Sequence, residues 1–296
     1  MTQSIFQLQQ GNLPLLISMP HNGVSIPDDI RNTMTAAGLS VADTDWDLDR
    51  LYAFAKELGV YLIVPAYSRY VIDLNRSPDG ANLYPGADST ELCPTTNFQR
   101  QPLYKKDMQP NEKEIQRRVT TFWQPYHQAV ADTLAEIQKI HGKALLLEAH
   151  SICSQVPRFF AGQLPDFNFG TNQGKSCTSQ LHQLLENINV SPYSKVIDGR
   201  FKGGYITRAY ANLDKNIETV QLELSQRTYM DEALWGEDGN PLAESVSSLT
   251  DTNHVSQYSD EKAQAVIPQL QNMVQAFISY ISKDTVPDCS SSGVPQ

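Results

Sequence analysis

A chain of 296 residues in which 40% are apolar is long enough to bury a sizeable core, in one large α/β domain or two small ones. Its formal net charge of −10 opposes the positive field that nucleic acid or an anionic membrane surface requires, so neither is expected as a partner. Cys93, Cys153, Cys177 and Cys289 are widely separated and form no C-x-x-C pair, which predicts reduced thiols in a cytoplasm rather than a disulfide framework.

The opening segment, Met1 to Gln10, has no basic stretch followed by an apolar one. No part of the chain reaches the roughly 18 uninterrupted apolar residues of a membrane span, so a soluble, unexported, cytoplasmic protein is expected. Leu13 to Met19 reads as a buried strand, and Pro27-Asp28-Asp29 as a helix start that should run to near Gly38. Leu48, Leu51, Tyr52, Ala55 and Leu58 recur at helical spacing, predicting a helix from Asp47 to Leu58 capped by Gly59, with Asp45 just before it. Val60 to Val64 and Tyr70 to Leu74 are β-branched or aromatic runs around Pro65-Ala66-Tyr67-Ser68, which predicts two strands bracketing a turn. From Asn75 to Pro110 no periodicity persists, and so long a connection in a compact domain is read as a structured loop over the site.

Glu112 to Ile140 carries the longest helical pattern, which Pro125 should kink or split and Gly142 should end. A strand leading to His150 follows. Further on come a helix from Cys177 to Ile188, a short strand from Lys195 to Ile197, a strand from Thr219 to Leu224 and a closing helix from Asp260 to Ser282. Without repeats or a linker, the simplest account is a single α/β domain over residues 1–285 with a mostly parallel sheet, followed by a flexible tail at 286–296.

Two histidines each close an apolar, strand-like run: Leu15-Leu16-Ile17-Ser18-Met19-Pro20-His21-Asn22-Gly23 and Leu145-Leu146-Leu147-Glu148-Ala149-His150-Ser151. Sites in open α/β sheets form at the carboxyl ends of strands, and the acid-rich Asp43-Thr44-Asp45-Trp46-Asp47 supplies carboxylates. His21, Asp45 and His150 would make the three protein ligands of a catalytic zinc, leaving a fourth position for water and a net positive centre. Asp43 and Asp47 stand as alternatives for the third ligand. The competing reading for each histidine alone is ordinary packing, the reading also given to His127, His141, His182 and His254. Cys153, close behind His150, is read as inert packing.

Ser68-Arg69-Tyr70-Val71-Ile72-Asp73-Leu74-Asn75-Arg76 places two arginines and an asparagine at the ends of a predicted strand. Guanidinium forks bind carboxylates bidentately, which points to an anionic substrate group, against the alternative of a surface salt-bridge network. Arg208 follows the diglycine Gly203-Gly204, whose backbone can approach a ligand closely. Glu223 shares a strand face with Gln221 and is a candidate general base, or else a solvent-facing edge residue. The chain has no G-x-S-x-G elbow, P-loop, G-x-G-x-x-G or H-E-x-x-H.

These segments, together with Leu83-Tyr84-Pro85-Gly86 and Gly199-Arg200-Phe201-Lys202, resemble the N-formylglutamate amidohydrolases, or deformylases, from about Leu13 to Met230. Through that family's distant kinship with zinc carboxypeptidases and aspartoacylases, the resemblance implies a phosphorylase/hydrolase-like, three-layer α/β fold with a mixed, largely parallel sheet flanked by helices. It implies hydrolysis of N-formyl-L-glutamate, a small dicarboxylate, to formate and L-glutamate in histidine degradation. It also implies Zn2+ or another divalent ion on His21, Asp45 and His150, Glu223 as proton carrier, and Arg69 or Arg76 as the cation facing the oxyanion. Asn75, Arg76, Tyr205 and Arg208 would contact substrate. Asp47 follows Trp46 where the family's motif commonly continues with histidine, Glu148 stands where aspartate is usual, and Val24 leaves no H-x-x-E after His21. The alternatives are an amidohydrolase for another N-acylated acidic amino acid and a non-catalytic carboxylate-binding module with a structural metal. Homo-oligomerisation is left open.

Overall fold

The unbroken run Ala144–Ile152 is buried along its whole length and forms β4 at the middle of a seven-stranded sheet. Such a run needs cover on both faces. Leu145, Leu147 and Ala149 enter one core, while Ala144 and Leu146 enter the other. The computed structural model describes residues 4–81, 86, 88–234 and 256–282, and the predicted tail lies outside the described residues.

The remaining strands are β1 (Phe6–Gln9), β2 (Leu15–Ser18), β3 (Tyr61–Pro65), β5 (Phe167–Gly170), β6 (Lys195–Ile197) and β7 (Ile217–Ser225), in the order β1-β3-β2-β4-β7-β5-β6. β3, β2, β4 and β7 run parallel, β1 pairs antiparallel to β3 at one edge, and β5 runs antiparallel to β7 with β6 parallel to β5. The sheet is therefore mixed and largely parallel. A small antiparallel pair, β8 (Met230–Asp231) with β9 (Gln257–Tyr258), lies apart from it.

Helices cover both faces. On one, α3 (Leu48–Leu51), α4 (Phe54–Glu57), α7 (Ser179–Asn187) and α9 (Asp260–Ser282) place Leu51, Ala55, Leu181, Leu185, Leu270 and Phe277 against Leu147 and Leu222. On the other, α1 (Asp28–Arg31), α2 (Ala36–Leu39), α5 (Glu112–Arg118) and α6 (Gln124–His141) surround Ile30, Tyr126, Val130 and Leu134 packed on Ile63 and Leu146. Burying each such large side chain is worth about 1.5–3 kcal/mol, which sets the face of every strand.

Several expectations need correcting. The predicted helix from Pro27 to Gly38 is two short turns, α1 and α2, and the one from Asp47 to Leu58 is split into α3 and α4. β1 and β5 were not anticipated, since Phe6–Gln9 and Phe167–Gly170 are too short and too polar to read as strands alone. The break expected at Pro125 is present: a π turn at Val119–Trp123 divides the helical pattern into α5 and α6, with Pro125 in the first turn of α6. Tyr70 to Leu74 is not a strand: its buried carbonyls accept from side chains instead, Val71 O from Arg118 Nη1 at 3.0 Å and Tyr70 O from the Tyr104 hydroxyl at 3.3 Å. Among the described residues no helix is long and apolar enough to cross a membrane.

Candidate metal centre

β2 and β4 are adjacent and parallel, so the residues at their carboxyl ends meet along one edge of the sheet. His21 follows β2 after a turn, and His150 is still within the β4 ladder, where its register partner on β7 is Glu223. Side chains alternate along a strand, so Glu148 and His150 on β4 and Gln221 and Glu223 on β7 share one face. That face is apolar near Leu146 and polar beyond it.

Asp45 is delivered from a loop rather than a strand. Its backbone N–H donates to His21 O at 3.1 Å, and Asn22 Oδ1 accepts from Leu48 N at 2.9 Å, fastening the start of α3 to the residue after His21. Gly23 is required at the same turn, because a Cβ there would lie 2.3 Å from Tyr67 O.

One ligand atom from each of His21, Asp45 and His150 falls within 4.8 Å of the others, and all three residues are buried. Asp45 Oδ2 lies 3.0 Å from His150 Nδ1 and 3.8 Å from His21 Nδ1. The opposite ring nitrogens are turned onto carboxylates: His21 Nε2 is 2.6 Å from Asp73 Oδ1 and His150 Nε2 is 2.7 Å from Glu148 Oε1. Imidazoles backed in this way by carboxylates are oriented and made more basic, which is how proteins prepare histidine as a metal ligand.

The electrostatics agree. Burial, with Arg69, lowers the His21 ring below its ordinary value despite Asp73 and Asp45, favouring the neutral form that ligates. Burial alone would raise Asp45 and Asp73, but the histidines and Arg69 around them hold both below the usual carboxylate range, Asp73 far below. Burial would depress His150, yet Glu148 and Asp45 together raise it well above its ordinary value. Two carboxylates facing one imidazole leave negative potential at the cluster, which suits a divalent cation. The residues present thus fit a divalent metal ion, whereas Asp43 turns both oxygens to Phe98 N, at 3.1 and 3.0 Å, and Asp47 starts α3 half-exposed.

The cluster opens into a cleft lined also by Arg69, Asn75, Arg76, Arg200, Glu223 and the rings of Phe98, Phe159 and Phe201. Residues of the predicted structured loop, Ser89, Thr90 and Phe98, form part of its wall. Arg69 Nη2 donates to Asp73 Oδ2 at 2.7 Å, bracing the carboxylate behind His21. Asn75 Nδ2 lies 3.1 Å from His150 Nε2 while its Oδ1 accepts from Ile206 N at 3.0 Å, so this side chain ties His150 to α8 (Tyr205–Tyr210). Gly204 makes that contact feasible, since a Cβ there would come 2.2 Å from Asn75 Nδ2. Tyr205 and Arg208 are not among the lining residues: Tyr205 packs its ring on Trp123 and His127, and Arg208 Nε donates to Gly203 O at 3.0 Å.

Glu223 is buried, and burial pushes its carboxyl up to about 8, against the opposing pull of His150. Sequence alone assigns no role to Asp73, Glu148 or Arg200. Glu148 was within reach of the strand period, two positions before His150 on the same face, whereas Asp73 was assigned to a strand that does not form.

Fold and cluster together define an α/β protein with a buried His-Asp-His centre at the carboxyl edge of its sheet, competent to hold a divalent ion. A family model described as N-formylglutamate amidohydrolase matches residues 13–230, and the chain belongs to that family. Over 230 residues it is 45% identical to the N-formylglutamate deformylase of Pseudomonas putida, covering 77% of this chain and 86% of that one. The N-formylglutamate deformylase of Pseudomonas aeruginosa is 46% identical over the same shares. The crystal structure of N-formylglutamate amidohydrolase from Ralstonia eutropha superposes with a TM-score of 0.69 at 21% identity, covering 93% of this chain and 97% of that one. A gene product of Agrobacterium tumefaciens superposes at 0.66 and 16%, covering 94% and 96%. These two likenesses speak for the fold.

Proposed function

We propose that this protein hydrolyses N-formyl-L-glutamate to formate and L-glutamate, as a step of histidine degradation, with a divalent metal ion, zinc foremost, held by His21, Asp45 and His150. The observation that carries the reading is the meeting of that buried cluster with Glu223 and three arginines in one cleft, in a chain 45% identical to a deformylase. When bound, the ion supplies the positive charge that acidifies a water and polarises the formyl carbonyl.

The chain's own residues do the rest. Glu223 stands in register with His150 and accepts a proton from the attacking water, then passes it to the departing amine nitrogen. Its raised affinity for a proton suits an acid–base role near neutrality. Arg69 lies 4.0 Å from Asp45 Oδ1 and faces the oxyanion as its carbonyl carbon becomes tetrahedral. Arg76 brings a guanidinium to the same cleft for a substrate carboxylate.

Among the described residues Cys93, Cys153 and Cys177 form no disulfide, and a cytoplasmic setting remains the reading of the cysteine spacing. The test is formate release from N-formyl-L-glutamate by the purified protein with and without a chelator. Turnover that survives complete metal removal would reject the metal; a preference for acetyl or longer acyl groups would move the assignment to a related amidohydrolase.

A further inference from the structure

The three cleft arginines are compensated unequally. Arg69 is neutralised by Asp73, its Nη2 being 2.7 Å from Oδ2. Asp88, an acid on the cleft wall, is already engaged by Arg100 at 2.8 Å and Arg158 at 3.0 Å. Arg76 forms no ion pair with a carboxylate among the described residues, but it gives its Nε to Thr90 O at 3.0 Å, its Nη1 to Asn75 O at 3.2 Å and its Nη2 to Thr90 Oγ1 at 3.4 Å. Arg200 donates Nε to Phe159 O at 2.8 Å, and among the described residues no carboxylate forms an ion pair with it. Anchoring Nε fixes the plane of the guanidinium and leaves the Nη1/Nη2 end for a ligand's two oxygens.

The loop that carries Arg200 is fastened at both ends. Asp198 Oδ1 accepts from Thr171 N at 2.8 Å, and Gly204 N donates to Gln221 Oε1 at 2.7 Å. A guanidinium on a fastened loop costs little ordering when it binds. Beside it the Phe201 ring lies 5.5 Å from Cζ, and Phe98 and Phe159 meet at 4.9 Å, so an aromatic wall leads toward the charge.

An acylated acidic amino acid has two carboxylates placed differently with respect to the reacting bond. The α-carboxylate shares a carbon with the amide nitrogen and stays near the cluster, where Arg76 follows Asn75. The side-chain carboxylate lies beyond two methylenes, which need an apolar surface, and then needs a cation. We propose that Arg200 recognises this side-chain carboxylate and so sets specificity for glutamate over its uncharged analogues; the proposal rests on the reading that the cleft takes N-formylglutamate.

The test is kcat/KM for formate release from N-formyl-L-glutamate and N-formyl-L-glutamine with the wild-type protein, Arg200→Gln and Arg200→Lys. Competitive inhibition by L-glutamate and L-glutamine is measured alongside, and metal content and thermal midpoint serve as folding controls. The wild type should favour the dicarboxylate by about tenfold to 10²-fold. Arg200→Gln should lose most of that factor, chiefly through KM, while N-formylglutamine and glutamine change by less than about threefold; Arg200→Lys should keep part of it. Equal losses on both substrates, or undiminished preference for glutamate in Arg200→Gln, would overturn the assignment of Arg200 while leaving the deformylase reading intact. Absence of formate from wild-type protein would remove that reading and this one with it.

Discussion

Glu148 stands two residues before His150 on β4 and places Oε1 2.7 Å from that ring's Nε2, while its Oε2 accepts from Thr207 N at 2.9 Å and from the Thr207 hydroxyl. One buried carboxylate thereby orients the His150 imidazole and fastens α8, whose preceding loop carries Arg200. A glutamate side chain has the reach for both tasks.

Replacing Glu148 with Gln keeps the shape and removes the charge behind His150. Zinc affinity should fall by about 10- to 100-fold, the usual cost of losing a carboxylate behind a ligating histidine. A competition titration with a chromophoric chelator reads this directly, and unchanged affinity would deny Glu148 its orienting role. Glu148→Asp should suffer at Thr207 as well, since a shorter chain cannot span both contacts.

Glu223→Gln should bind metal like the wild type and lose about 10²- to 10⁴-fold in kcat, because an amide of the same shape cannot carry the proton. Metal stoichiometry and formate production measured on one preparation separate the two effects. A kcat near that of the wild type would reject the general-base assignment.

The third ligand is tested by metal content. Asp45→Ala removes the carboxylate that both Nδ1 atoms face and should purify with little bound metal. Asp47→Ala, at the left-handed residue opening α3, should retain it. Full occupancy in the Asp45 variant would exclude Asp45 as a ligand.

His127 predicts a pH dependence of stability away from the cluster. Its ring stacks on Trp123 at 3.6 Å and its Nε2 meets Leu74 O at 2.8 Å, and burial lowers its pKa from 6.5 to about 4. The unfolded chain therefore binds the extra proton between those values. The stabilisation is complete above about pH 6.5 and is lost as pH falls toward about 4, by up to about 3 kcal/mol. Urea unfolding of the wild type and His127→Gln across this window should give a shallower slope for the variant. Parallel slopes would show that another group titrates there.

Much of this protein was legible as sequence where one residue type has one physical use. Leu145 to Leu147 is apolar without interruption and reads as a strand covered on both faces, which places His150 toward its carboxyl end. The acid-rich segment before α3 likewise announced a carboxylate near that edge, and the collinear blocks named the family. Tertiary structure decided what depends on neighbours distant in sequence. It set Asp45 beside His21 and His150, because the Asp45 N–H bonds His21 O, while Asp43 turns to Phe98 N. It overrode the strand propensity of Tyr70 to Leu74, because Arg118 and Tyr104 satisfy that backbone and free Asp73 to back His21. It brought Arg200 into the cleft and left Arg208 out of its lining, a choice that turns on where one loop is fastened. A local pattern reports which face a side chain takes; which partner it meets depends on packing between segments that no local window contains.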